Sequence, residues 1–151
     1  MQETRTFLET NEDKSFILYL LKNTPIEGNT KFVKLIFLAN YFAKKSNQLI
    51  PFHYNFFRYK YGPYSKGIQN DINNLKLSGL IKTIENNTYI LTEKGKEVSS
   101  KLEEHLPEEK KKIIHNVLDN FSNKDTQWIL NFVYDLDEFK NTSCGEKINL
   151  G

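Results

Sequence analysis

The chain has 151 residues, a length that fits one domain able to bury a sizeable core. Its net charge of +2 points to no class of partner by itself, and its lone cysteine, Cys144, excludes an intramolecular disulfide. The longest apolar stretch, 32–42, is broken by Lys34 and Asn40 and is too short to span a bilayer. The opening Met1-Gln2-Glu3-Thr4-Arg5 lacks the apolar core of a signal peptide, so the expected location is the cytoplasm.

Residues 1–12 are polar and read as an N-terminal tail. Asp13 can cap a first helix over 14–23, with Phe16, Ile17, Tyr19, Leu20 and Leu21 on a broad apolar face. Thr24-Pro25 ends it, because the residue before proline avoids the helical region. A turn at 28–30 leads into a second helix over 31–46, apolar around most of its circumference and hence the expected core helix. Residues 51–61 alternate with period two and are rich in aromatics, which predicts an extended strand. Gly62-Pro63 breaks it.

A third helix over 65–77 carries Ile68, Ile72 and Leu75 on one stripe, and Gly79 is a natural stop. Two short β-prone runs, 80–84 and 88–91, flank Glu85-Asn86-Asn87 and predict a hairpin. Thr92 opens a fourth helix. Two more are expected over 107–121 and 124–136, with Lys110-Lys111-Lys112 read as a solvated face. The order helix, helix, strand, helix, hairpin, helix is that of a winged helix-turn-helix. The expected fold class is mainly α with a small β-hairpin. It is organised as a tail (1–12), a winged-helix domain (13–105), additional C-terminal helices packed on it (106–138) and a second tail (139–151).

Charge is distributed unevenly. Between residues 14 and 82 there are eleven basic side chains and two acidic ones, Glu27 and Asp71, a surplus of nine; the rest of the chain therefore carries −7. Such asymmetry suits a domain that offers one face to a polyanion. On a winged-helix frame the third helix would enter the major groove of double-stranded DNA through Lys66, Gln69, Asn70, Asn73 and Lys76. Lys82, Asn86 and Asn87 on the hairpin and Arg58 and Lys60 on the strand would add contacts to the backbone or the minor groove. The free amides at the start of the third helix could also hold an anion.

No catalytic motif is present. His53, His105 and His115 have no metal-ligand spacing, the glycines form no phosphate loop, and the acidic pairs at helix ends read as solvated. The expectation is a binding protein with no catalytic activity, cofactor or metal.

Two segments carry a resemblance. Tyr89-Ile90-Leu91-Thr92-Glu93-Lys94-Gly95 resembles the wing-to-helix junction of many winged-helix regulators. The run from Lys31 to Ala39, the turn Tyr59-Lys60-Tyr61-Gly62-Pro63-Tyr64-Ser65, and Ile68, Asp71, Leu75 and Gly79-Leu80-Ile81 resemble the prokaryotic group that includes the YwgA-like proteins and the SocA-like, or Panacea, antitoxin domains. That resemblance covers about residues 14–100. It implies a cytoplasmic protein of a prokaryote, phage or plasmid, either a DNA-binding regulator or a module that binds a toxin or host protein. Trp128, Phe132 and Tyr134 could anchor such a partner, and the C-terminal helices could pair two copies as a homodimer.

Overall fold

The computed structural model describes residues 4–150. The chain is mainly helical with two small antiparallel sheets, an α+β arrangement. In order, the elements are α1 (Phe7–Asn23), β1 (Ile26–Glu27), α2 (Asn29–Lys45), β2 (Phe57–Tyr59), β3 (Gly62–Tyr64), α3 (Lys66–Leu77), β4 (Ile81–Ile84) and β5 (Thr88–Leu91). They are followed by α4 (Glu93–Glu103), α5 (Glu108–Phe121), α6 (Thr126–Tyr134) and α7 (Asp137–Lys140).

α2 is the axis of the molecule. Every residue from Phe32 to Asn40 is buried, the polar Lys34 and Asn40 included, in line with the expected core helix. α5 and α6 pack against it, while α1 packs on α4 and α3. β1, β5 and β4 form one sheet in that order, with Ile81 opposite Leu91 and Ile26 opposite Tyr89. β2 and β3 form the other, with Phe57 opposite Tyr64.

α1 begins seven residues before the expected start. Thr6 caps it, accepting from the Glu9 amide at 3.1 Å, while the Glu9 carboxylate accepts from the Thr6 amide at 2.9 Å. This reciprocal box satisfies two amides that the helix start would leave unpaired. Residues 7–12, read as tail, are therefore helix, and Asp13 is a fully buried mid-helix residue, not a cap.

The expected strand over 51–61 is a ladder only at 57–59. Burial does alternate, with Phe52, Tyr54 and Phe56 inside. The backbone at Phe52, however, pairs with a side chain: Asn40 both donates to and accepts from it, each at 3.0 Å. Asn40 thus does the work of a neighbouring strand.

The expected C-terminal tail is built in. Phe57 bridges to Lys147, the Arg58 amide donates to Glu146 O at 2.9 Å, and the Ile148 amide donates to Phe56 O at 2.8 Å. Ile148 is buried. These bonds satisfy the outer edge of β2, which otherwise would present unpaired backbone groups.

Of the charge run at 110–112, read as a solvated face, only Lys112 is exposed. Lys110 and Lys111 are each 8% exposed. Lys110 reaches Glu12, and Lys111 donates to Glu103 O at 3.1 Å and pairs with Glu108 at 2.7 Å. Their methylene stems cover the α1–α5 seam while the ammonium groups reach partners at its edge.

The junction after β5 explains its own sequence. The Thr92 hydroxyl accepts from the Gly95 amide at 3.0 Å and donates to Gly79 O at 2.5 Å. A side chain at Gly95 would place its Cβ 1.9 Å from Leu80 O, so only glycine lets α4 lie this close to the start of β4.

Candidate functional site

Three features stand out: the outer face of α3 with its hairpin, a buried polar network beneath α3, and an aromatic surface on α5 and α6.

Ile68, Asp71, Ile72 and Leu75 turn the inner face of α3 into the core. Lys66, Asn70, Asn73 and Lys76 are exposed on the outer face. Gln69 is half-buried and donates to Asn29 Oδ1 at 2.9 Å; the Tyr89 hydroxyl donates to the same oxygen, also at 2.9 Å. Gln69 therefore fixes α3 to α2 and β5. The Lys76 ammonium lies 5.1 Å from the Tyr89 ring centre. Lys82 is exposed on β4, and Asn86 and Asn87 form the hairpin tip, both in the left-handed region.

Arg58 and Lys60 stand elsewhere. Arg58 donates to the carbonyls of Phe139 at 3.1 Å, Lys140 at 3.4 Å and Thr142 at 2.7 Å, with its guanidinium 4.5 Å from the Phe139 ring centre. Through one terminal nitrogen it satisfies the carbonyl end of α7, which ties its guanidinium to the fold. Lys60 lies in the β2–β3 turn beside Tyr61, and the Tyr134 hydroxyl of α6 donates to its carbonyl at 3.5 Å.

The buried network joins parts of the chain that lie far apart in sequence. Arg5 donates to Asp13 at 2.8 Å and to the two Asp71 oxygens at 2.7 and 3.2 Å. The Tyr54 hydroxyl donates to Asp71 at 2.6 Å, and the His53 amide donates to Asp13 at 2.9 Å. The Arg5 guanidinium also sits 4.7 Å from the Tyr54 ring centre. Burial raises the Asp13 pKa, with the Arg5 and His53 hydrogen bonds acting the other way. Burial, and then the Asp71 charge, holds the Tyr54 phenol well above its usual range. The network pins the 51–56 segment and the first turns of α1 to α3.

Lys34 forms a second buried polar contact. It is 4% exposed and its ammonium donates to Pro63 O at 2.8 Å. Burial lowers its pKa to about 8. A Cβ at Gly62 would fall 2.8 Å from Lys34 Cε, and Gly62 has φ +96. The Tyr-Gly-Pro-Tyr turn is thus a seat for this lysine.

On the far side of α2 the aromatics gather. Phe42, Phe121, Trp128 and Phe132 interlock, with Trp128 stacked on Phe132 at 5.7 Å and Phe121 edge-on to Phe132 at 5.0 Å. Trp128 remains 43% exposed, and the Lys124 ammonium lies 4.9 Å from its ring centre. A cleft of about 680 Å³ opens beside it, rimmed by Ser46, Gln48, Asn116 and Asn120.

Sequence reasoning missed Arg5, Asp13 and Tyr54 as a set, because their pairing spans up to 66 residues. Asp71 did carry a signal: an acid on the apolar stripe of α3, in a window that is otherwise basic. A buried carboxylate there demanded a cation. Among the described residues, no group of three or more His, Cys, Asp or Glu could hold a metal ion, and no helix is long and apolar enough to cross a membrane.

These features define a small α+β domain whose polar groups are spent mainly on holding helices together. The chain belongs to the family of antitoxin SocA-like proteins with a Panacea domain, whose profile matches residues 32–139. The match runs through α5 and α6 into α7, beyond the 14–100 on which the sequence resemblance rested; the C-terminal helices are part of the family domain. No curated protein and no solved structure shows significant similarity to the chain.

Proposed function

We propose that this protein is a non-catalytic interaction module of antitoxin type, which binds a toxic partner protein through the α5–α6 end of the domain. The family supplies the class of partner. The observation that carries the surface is Trp128, a large ring left 43% exposed within an otherwise interlocked aromatic cluster. Half-exposed aromatics backed by a rigid core and flanked by a cation are the usual anchors of interfaces. Phe132 and Tyr134 lie on the same helix. The test is co-expression with a toxin encoded beside this gene, read as growth rescue and as a complex by light scattering. Trp128→Ala should weaken that complex at least tenfold (on the order of a hot-spot loss). A complex of unchanged affinity removes the assigned surface, and no rescue removes the antitoxin reading.

The same surface could join two copies as a homodimer. Light scattering of the protein alone decides this, and a clean monomer at micromolar concentration refutes it.

A second reading, DNA binding, is favoured by one observation: α5 and α6 pack on α2 and leave the outer face of α3 open. In this reading α1 to α3 with the β1–β5–β4 sheet form a winged helix-turn-helix with the β4–β5 hairpin as wing. Lys66, Asn70, Asn73 and Lys76 would face the groove, and Lys82, Asn86 and Asn87 the backbone. Affinity for duplex DNA should then fall steeply with salt and drop in Lys66→Glu and Lys76→Glu. Binding that ignores both substitutions defeats it.

A further inference from the structure

We infer that the outer edge of β4 is a docking site for an extended, acidic segment of a partner protein, which adds to the sheet as a further antiparallel strand. β4 ends the order β1-β5-β4, and among the described residues no strand lies beyond it. The ladder fixes which backbone groups face outward. The Thr92 amide donates to Leu80 O at 3.0 Å, in the register that sets Lys82 opposite Ile90 and Ile84 opposite Thr88. Bonded and non-bonded pairs alternate along an antiparallel ladder. Lys82 and Ile84 therefore bond to β5, and the N–H and C=O groups of Ile81 and Thr83 point away from it. The other side of β5 agrees. The Gly28 amide donates to Asn87 O at 3.1 Å, which turns Asn87 and Tyr89 towards β1 and leaves Thr88 and Ile90 for β4.

The two sheets are finished differently. Residues 145–148 bond along the outer edge of β2, whereas Lys82, Thr83 and Ile84 on β4 stay exposed. Neither a proline nor a bulge blunts the β4 edge, and Ile84 is 46% exposed.

Lys82 selects the occupant. It stands between the two outward-facing residues, so a strand that bonds to both Ile81 and Thr83 sets one of its own side chains directly opposite Lys82. A second copy of β4 in that register sets Lys82 against Lys82. Sliding the copy by two residues sets Ile81 opposite Glu85, beyond the strand, whose carbonyl already accepts from the Thr88 amide. The edge thus resists its own copy and takes a foreign strand with a carboxylate opposite Lys82. Ile84 is the next side chain on that face, diagonal to the half-buried Ile90, so an apolar residue two positions before the acid completes the match. The outward groups alternate donor and acceptor, which a peptide backbone satisfies and a phosphodiester, an acceptor only, does not.

This docking mode does not rest on the α5–α6 reading. Its test is a titration of the ¹⁵N-labelled full chain with the end-blocked peptide Thr-Val-Thr-Glu-Thr and, separately, with Thr-Val-Thr-Lys-Thr. Saturable shifts centred on the Ile81 and Thr83 amides, with slowed exchange of their protons, support the site. The glutamate peptide should bind roughly twofold to fivefold tighter, the scale of one cross-strand charge pair. Lys82→Glu should reverse that preference. Thr83→Pro removes an outward N–H and no bond to β5, and should abolish the shift at Ile81. Shifts that fail to saturate, equal binding of the two peptides, or binding that both variants leave unchanged overturn the inference. So do concentration-dependent shifts of these amides without peptide, which assign the edge to a second copy, and shifts with duplex DNA alone, which assign it to nucleic acid.

Discussion

The two flanks of α2 are built on opposite principles. On one flank, Arg5, Asp13, Asp71 and Tyr54 form a network in which each charge meets a partner at 2.6 to 3.2 Å and almost nothing is exposed. On the other, Phe42, Phe121, Trp128 and Phe132 pack without directional bonds and leave one ring partly in solvent. Directional contacts fix one arrangement of segments and fail together when a member is lost. Apolar contacts tolerate change and can extend onto a second molecule. The polar flank therefore reads as the device that sets α3, and the aromatic flank as the surface with unused capacity.

The largest expected effect breaks the polar flank. Asp71→Ala leaves Tyr54 without its acceptor and removes two hydrogen bonds of Arg5, and should cost about 3–5 kcal/mol. Chemical denaturation measures it; a loss below 1 kcal/mol would mean that the network does not hold α3.

Next is Lys34. Its pKa of about 8 in the fold, against 10.5 when unfolded, means that the unfolded chain holds the proton more tightly. Stability therefore rises with pH from about 8 towards 10.5, as a penalty of about 3 kcal/mol present at neutral pH is relieved. Denaturation profiles between pH 7 and 9.5, below the range where tyrosines ionise, should climb for the native chain and stay flat for Lys34→Met.

The aromatic flank should prove softer. Trp128→Ala removes a half-buried ring and should cost about 1–2 kcal/mol, less than the Asp71 effect, while the proposed anchor role predicts a large loss of partner binding. A stability loss as great as that of Asp71→Ala would assign Trp128 to the core and weaken its role as an anchor.

The smallest effect concerns how Arg5 is delivered. Thr6→Ala removes the capping box next to it and should cost about 1 kcal/mol, read as a lower melting temperature. If the loss approaches that of Asp71→Ala, the cap and the network act as one unit.

How much of this was legible beforehand follows from the range of each interaction. The apolar run of α2, the β4–β5 hairpin and the stop at Gly79 are local, and they were placed to within a few residues, whereas Gly62-Pro63, read as a break, opens β3 and pairs with β2. The Thr92-to-Gly95 junction was visible as a motif, but its reason, the approach of Gly95 to Leu80 O, was not. Of the proposed contact residues, Lys66, Asn70, Asn73, Lys76, Lys82, Asn86 and Asn87 are exposed on α3 and the hairpin. Arg58 read as a surface cation only because its acceptors lie 81 to 84 residues away.

The sequence by itself determined most of the helices, the β4–β5 hairpin, the apolar faces they bury and the family, because propensity, periodicity and turn chemistry act over a few residues. Tertiary structure alone decided what the isolated charges do. It made Asp13 and Asp71 partners of Arg5, turned Lys110 and Lys111 into cover for a seam, and drew Arg5 and the segment around Lys147 into the fold. A charged side chain looks the same in sequence whether it faces water or a buried partner. Only the folded chain supplies the partner, because burying the charge without one would cost more than the fold can offset.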